Sequence, residues 1–303
     1  MFQAKISALL ITGGLLLCAF QGVATAEEPK PLIVCSTTQV ADFARQVVGD
    51  RMQVRSILAP GQDPHLYEIK PGDAKIVAQA VICFDNGWHL EGNDWMRNLA
   101  NTAGIKIVSC TTGCKPLELE DQGQKIHDPH AWFSPSNAAV FVRNIRDALV
   151  ELDKEHEAEY QARTQLYLDQ LRTLHGWILR QVNTIPRDRR ILVTSHDAFN
   201  YFCREYGFKA ATPIGWSTGS ELGGGITPER RKNTVDSIKR YGVKAIFVET
   251  SVNPALIREI AKDAGVEIGG ELYSDSMGGP GTAGENYLGM MRENVLTIVG
   301  SMK

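Results

Sequence analysis

The sequence predicts an α/β protein: two parallel-sheet βα lobes joined by one long rigid helix, with a ligand site between the lobes. Three observations predict it. Apolar, strand-like runs alternate with segments of helical period through both halves of the chain. A proline-free stretch of helical pattern separates the halves. Several metal-grade side chains fall where strands give way to loops, the usual ligand position in open parallel sheets. At 303 residues the chain also exceeds one average core, which favours two lobes.

Residues 1–26 read as a secretory signal. Lys5 gives a positive start, residues 8–20 form an apolar stretch too short for a stable membrane span, and Ala24-Thr25-Ala26 is a small-residue cleavage site. A lipid anchor on Cys18 is the competing reading, and Leu17 argues against it, because a small residue is expected there. The first lobe is assigned to residues 27–153. PLIVCSTT is a buried strand and ADFARQVVGD a helix stopped at Gly49; MQVRSILAP, AVICFDNG and IKIVSC supply further strands. KIVAQA and the segment around Trp95 read as helices. Ser134 caps the helix that closes the lobe, with Pro135 in its first position.

The linking helix is assigned to residues 154–186. It has Gly176 as its single glycine, and Leu166, Leu168, Leu171, Leu174, Trp177, Ile178 and Val182 form its apolar stripe. About 30 helical residues would span roughly 45 Å, which predicts a strut rather than a flexible linker. The second lobe is assigned to residues 187–303: strand RILVTSH, a helix stopped at Gly207, a helix opened by Pro228, strand KAIFVET, a helix opened by Asn253 and Pro254, strand VEIGGELYSD and a terminal helix.

Charge excludes one class of partner. The net charge is -3 and Lys and Arg form no basic stripe, so no nucleic-acid surface is expected. Past the signal, Cys35, Cys83, Cys110, Cys114 and Cys203 are an odd set for an exported chain. Cys110 and Cys114 are placed for a local disulfide; Cys35 and Cys83 read as buried thiols in strands.

His65 in GQDPHLYE, His130 in HDPHAWFSP, His196 in TSHDAFNYF and Asp275 in ELYSDSMG sit in four separate strand-end or helix-start segments. Three imidazoles and a carboxylate complete a tetrahedral set for a borderline-soft divalent cation. Any one of these histidines alone would read as an ordinary loop residue; the set of four is the signal. His127 is an alternative to His130, read as loop or supporting group. His89 borders the cleft, while His156 and His175 are read as structural. Asp197 and Glu249 are candidates to orient a neighbouring ring, although helix capping explains Glu249 equally well. Trp132 and Trp216 are read as packing.

GQDPHLYEIKPGD, NGWHLE, DPHAWFSP, the long helix, TSHDAFNYF, GVKAIFVETS, IGGELYSDSMG and GENYLGMMRENV together resemble the TroA-like zinc/manganese solute-binding proteins of bacterial ABC importers. The resemblance spans nearly the whole mature chain. It implies a periplasmic receptor that buries one Zn2+ or Mn2+ as transport substrate, with His65, His130, His196 and Asp275 as ligands. It also implies delivery to an inner-membrane ABC permease with its ATPase, by a monomer with no enzymatic activity. The His-rich acidic loop of many zinc-specialised members is absent before His130. His196 stands where many manganese-specialised members carry Glu. The rival readings are an exported zinc-dependent hydrolase, a siderophore or corrinoid receptor, and an adhesin. A fourth ligand and the lack of HExxH argue against the hydrolase.

Overall fold

The computed structural model describes residue 1 and residues 29–121, 124–212 and 228–303. The signal segment, Cys18 and Trp216 lie outside the described residues.

The first lobe is built on a parallel sheet of β1 (Leu32–Cys35), β2 (Gln53–Ser56), β3 (Ala80–Asp85) and β4 (Ile107–Ser109), in spatial order β2-β1-β3-β4. Strands β1 and β3 are buried almost throughout, as continuous apolar runs require in a sheet covered on both faces. Helices α1 (Thr38–Val48), α2 (Pro71–Val77) and α3 (Trp95–Ala103) connect them. Thr37 caps α1 by accepting from Val40 N at 3.3 Å, and Gly49 ends it at φ 58°, where a side chain would be strained.

A short antiparallel hairpin, β5 (Glu118–Asp121) and β6 (Gln124–His127), precedes α4 (Pro135–Leu152). Its largely polar residues carry no strand pattern, so neither strand is predicted from the sequence. The Ser134 cap and Pro135 start of α4 are as expected.

Helix α5 spans Glu157–Val182, 26 residues or roughly 39 Å. Its buried face is Tyr160, Thr164, Tyr167, Leu171, Leu174, Ile178 and Val182. Leu166, counted in the sequence-based stripe, is 63% exposed, because it lies one residue off the face that Tyr167 occupies.

The second lobe contains β7 (Ile191–Val193), α6 (Asn200–Tyr206), β8 (Lys209–Ala211), α7 (Pro228–Arg240), β9 (Ala245–Glu249), α8 (Ala255–Ala264), β10 (Glu267–Leu272) and α9 (Tyr287–Met302). Strands β7 and β8 pair in parallel, as do β9 and β10, and β7 lies beside β9. Strand β8 was not expected; three residues with two exposed offer no apolar signal.

The lobes share one core behind the strand ends. The Phe43 ring of α1 meets Phe141 of α4, Tyr167 of α5 and Tyr287 of α9 at centroid distances of 5.9, 6.3 and 4.9 Å. Buried apolar residues of both lobes and α5 form a single continuous cluster around them. A rigid-body swing of one lobe would expose that cluster to water, at about 25 cal/mol for each Å² uncovered. All five cysteines of the described residues are free and buried. The expected Cys110–Cys114 bridge is therefore not formed; burial instead pushes the Cys114 thiol up to about 12.

Candidate metal centre

Four backbone segments converge in front of the shared core. His65 lies in the loop after β2, His130 between β6 and α4, His196 just beyond β7, and Asp275 just beyond β10. One ligand atom from each falls within 4.8 Å of all the others. His130, His196 and Asp275 are fully buried and His65 is 7% exposed. His65 Nε2 and His130 Nε2 are 3.3 Å apart. Asp275 turns its two oxygens toward different rings, Oδ1 to His130 Nε2 at 3.4 Å and Oδ2 to His196 Nε2 at 3.2 Å. Three ring nitrogens and two carboxylate oxygens thus face one another in one small volume, the arrangement a cation requires.

The first two candidate ligands share a local device. Each follows an Asp-Pro pair, and in each case the Asp carboxylate accepts the ligand's own backbone N–H: Asp63 Oδ1 from His65 N at 2.8 Å, Asp128 Oδ1 from His130 N at 3.0 Å. Asp128 does more. The same Oδ1 lies 2.7 Å from His130 Nδ1, which fixes the ring with Nε2 facing the centre. Asp128 is itself held, its Oδ2 by Asn200 Nδ2 at 3.1 Å and its carbonyl by the Tyr201 hydroxyl at 2.9 Å.

Glu249, the last residue of β9, performs the equivalent task for His196. Its Oε2 lies 2.7 Å from His196 Nδ1, and its Oε1 accepts from Ser195 N and His196 N at 2.7 and 3.1 Å. Of the two carboxylates considered from sequence, Glu249 is thus the one that holds the ring. The Asp197 carboxylate instead accepts from the Thr212 hydroxyl at 2.6 Å. Asp128 went unnoticed in the sequence, although the repeated Asp-Pro-His was there to be read.

The remaining candidates separate cleanly. His127 ends β6 with its ring against Trp88, and His89 pairs with Asp94 at 3.5 Å. Both line a separate cavity of about 520 Å³ and neither joins the four-residue cluster. His156 is tied to Asp153, and His175 to Tyr206 and Glu205. Trp132 is buried and stacks edge-on against the His130 ring, so its packing supports a candidate ligand.

Gly92 explains how His65 is seated. A Cβ there would lie 2.2 Å from the His65 carbonyl oxygen, so the 86–94 loop packs directly on the ligand's backbone. Trp95 Nε1 adds a bond to the Pro64 carbonyl at 3.1 Å.

The electrostatics of the cluster are divided. Burial drives the His65 imidazole down to about 3, against the pull of Asp275 and with help from the other two rings. His196 is also penalised by burial, but Glu249 and Asp275 outweigh that and raise it well above an ordinary imidazole. Burial would raise the Asp275 carboxyl, yet His196, His130 and His65 together hold it below the usual range. In the metal-free protein one ring is thus a neutral donor and another an imidazolium locked between carboxylates.

The model of the family described as zinc-uptake complex component A, periplasmic (ZnuA), matches residues 33–301. A manganese-binding lipoprotein, MntA, of Halalkalibacterium halodurans is 35% identical over 99% of this chain and 97% of its own length. The manganese ABC transporter substrate-binding lipoprotein PsaA of Streptococcus pneumoniae is 31% identical over 94% of this chain and 93% of its own. The periplasmic zinc-binding protein TroA of Treponema pallidum superposes with a TM-score of 0.84 at 31% identity, covering 90% of this chain and 99% of that one. Near-complete coverage in both sequence and structure, over the same lobes and long helix, makes this chain a member of the ZnuA/TroA family of metal-binding ABC transporter substrate-binding proteins.

Proposed function

We propose that this protein is the receptor of a metal importer: it captures one zinc or manganese ion outside the inner membrane and hands it to an ABC permease with its ATPase. His65, His130, His196 and Asp275 are the ligands. The observation that carries this reading is the convergence of four buried donors, from four separate loops of two lobes, within 4.8 Å. Family membership supports uptake rather than catalysis, and a shell of four protein ligands leaves no open position for an attacking water. The exported hydrolase is set aside on those grounds.

Each residue has a definable part. The three Nε2 atoms supply lone pairs; Asp128 and Glu249 keep two of the rings turned so that those lone pairs face inward. Asp275 neutralises one of the cation's charges and, with both oxygens facing rings of the cluster, can offer one or two of them. One oxygen gives the tetrahedral shell that suits zinc, and two give a larger shell that manganese accepts. Supply outside the cell then decides the cargo alongside affinity. The receptor acts as a monomer and binds no nucleic acid.

Export places the chain in the periplasm. Leu17 favours cleavage after Ala26, while the MntA and PsaA relatives are lipoproteins; the mass of the mature amino terminus distinguishes free from acylated protein. The decisive test of function is calorimetric titration of the metal-stripped protein with zinc and then manganese. One-to-one binding that is lost in His130→Ala supports the receptor. No binding of either ion refutes it.

A further inference from the structure

The loop that carries Asp275 belongs to the second lobe, yet its backbone is gripped by the first. Gln39 Nε2 donates to the Ser274 carbonyl at 3.1 Å, and Met277 N donates to Thr38 Oγ1 at 2.8 Å. The Thr38 hydroxyl in turn donates to Gln39 Oε1 at 3.0 Å. These bonds form one chain, from Met277 N–H through Thr38 and Gln39 to the Ser274 carbonyl, that closes around Asp275 and Ser276. A further bond runs from Gly61 N, in the turn that leads to His65, to Ser276 Oγ at 2.8 Å. The second lobe supplies its own hold through Ser251 Oγ, which lies 2.8 Å from Ser274 Oγ and accepts from Asp275 N at 3.4 Å.

Thr38 and Gln39 occupy the first turn of α1 and are 6% and 1% exposed. A buried glutamine at a lobe junction costs stability unless every polar atom finds a partner. An apolar residue would fill the same space without that requirement. Here the partners are two backbone groups that flank a cation ligand and one hydroxyl that links them. We propose that Thr38 and Gln39 are positioning residues: they latch the first lobe to the 274–277 loop, so that the fourth ligand is presented only when the lobes are docked. The inference rests on the reading of Asp275 as a ligand. Its consequence is that loosening the latch frees Asp275 locally and lets the cation leave without any swing of α5.

The test is stopped-flow release of zinc into a chelator, with cobalt(II) as a spectroscopic probe. Thr38→Val keeps the shape but removes both hydroxyl bonds, and Gln39→Leu removes the carbonyl grip. Each removes two bonds of the chain and is expected to speed zinc release at least tenfold, the effect of losing a single buried hydrogen bond. Both should also weaken the ligand-field absorption of bound cobalt(II). Thr38→Ser, which retains the hydroxyl, should stay within about twofold of the unmodified protein. Ser276→Ala removes only the Gly61 bond and is expected to release zinc about threefold faster, so it decides the matter should Thr38→Val not fold. A general packing role would lower the melting temperature of the metal-free protein and leave release unchanged. Release within twofold of normal in the folded variants, or Thr38→Ser as fast as Thr38→Val, overturns the latch. Failure of the unmodified protein to bind zinc or cobalt(II) would overturn the metal assignment itself, and the latch with it.

Discussion

Zinc added to the metal-free protein at pH 7 is expected to expel about one proton per cation bound, and His196 is its source. The ring lies with Nδ1 2.7 Å from Glu249 and Nε2 3.2 Å from Asp275, and these two carboxylates hold it charged above the ordinary imidazole range. To ligate through Nε2 it must first lose the proton that faces Asp275. His65 contributes none, because burial has already kept it neutral down to about 3. Below the raised pKa of His196, each unit of pH should therefore weaken zinc tenfold, about 1.4 kcal/mol. Between pH 8 and pH 6 the loss would be about a hundredfold if the folded pKa lies above that window. An ordinary imidazole titrates near pH 6.5, and the carboxylates flanking His196 move the onset of weakening upward from there. Calorimetry in buffers of different ionisation enthalpy counts the protons directly. Release below about 0.3 protons at pH 7, with an affinity flat from pH 8 to pH 6, would refute the imidazolium and the argument built on it.

Glu249→Gln and Asp128→Asn each remove a carboxylate from a ligand ring, and each should weaken zinc about 10- to 100-fold, as read by competition with a chromophoric chelator. The Glu249 change should also reduce the proton release described above; unaltered release would locate the proton elsewhere. In the metal-free protein, the depressed pKa of His65 means that the unfolded chain binds more protons between about pH 6.5 and pH 3. Stability from this group is present above pH 6.5 and lost as pH falls, so metal-free His65→Asn should lose less stability than the unmodified protein across that range in urea titrations. An identical pH dependence would contradict it. Gly92→Ala must push a Cβ against the His65 carbonyl, 2.2 Å away, and should weaken zinc at least tenfold while leaving the outer helices folded by circular dichroism.

Much of this arrangement was readable along the chain because its signals are local. The Ser134–Pro135 start of α4, the continuous strands β1 and β3 and the proline-free α5 each announce themselves within a few residues. The four candidate ligands could be singled out because each stands just outside such an element, and the structure brings them together. What could not be read is which side chain meets which across the lobes. Asp197 and Glu249 were equal candidates in sequence, and only the placement of β9 beside β7 brings Glu249 against His196. Thr38 and Gln39 looked like unremarkable first-turn residues, since their partners lie more than two hundred residues away. The hairpin β5–β6 and strand β8 escaped because polar or three-residue strands rely on neighbours rather than pattern. Cys110 and Cys114 looked paired because spacing says nothing about the direction in which two buried thiols point.

The same tertiary detail explains why a site so well suited to a cation should be poised to bind one. Without metal, the fold keeps the His65 and His196 imidazoles and the Asp275 carboxylate buried side by side, and burial opposes the charged form of all three. That desolvation is incurred when the chain folds, not when the cation arrives. A divalent ion then meets ligands already stripped of water and already oriented by Asp128 and Glu249, and it relieves the apposition of the His65 and His130 nitrogens at 3.3 Å. Folding free energy is in this way invested in metal affinity. Release must reverse the sequence, and the shared core around Phe43 resists doing so by opening the lobes. The less costly route is to loosen one ligand loop, and the latch proposed for Thr38 and Gln39, which bonds the backbone of the Asp275 loop at Ser274 and Met277, is where that loosening would begin.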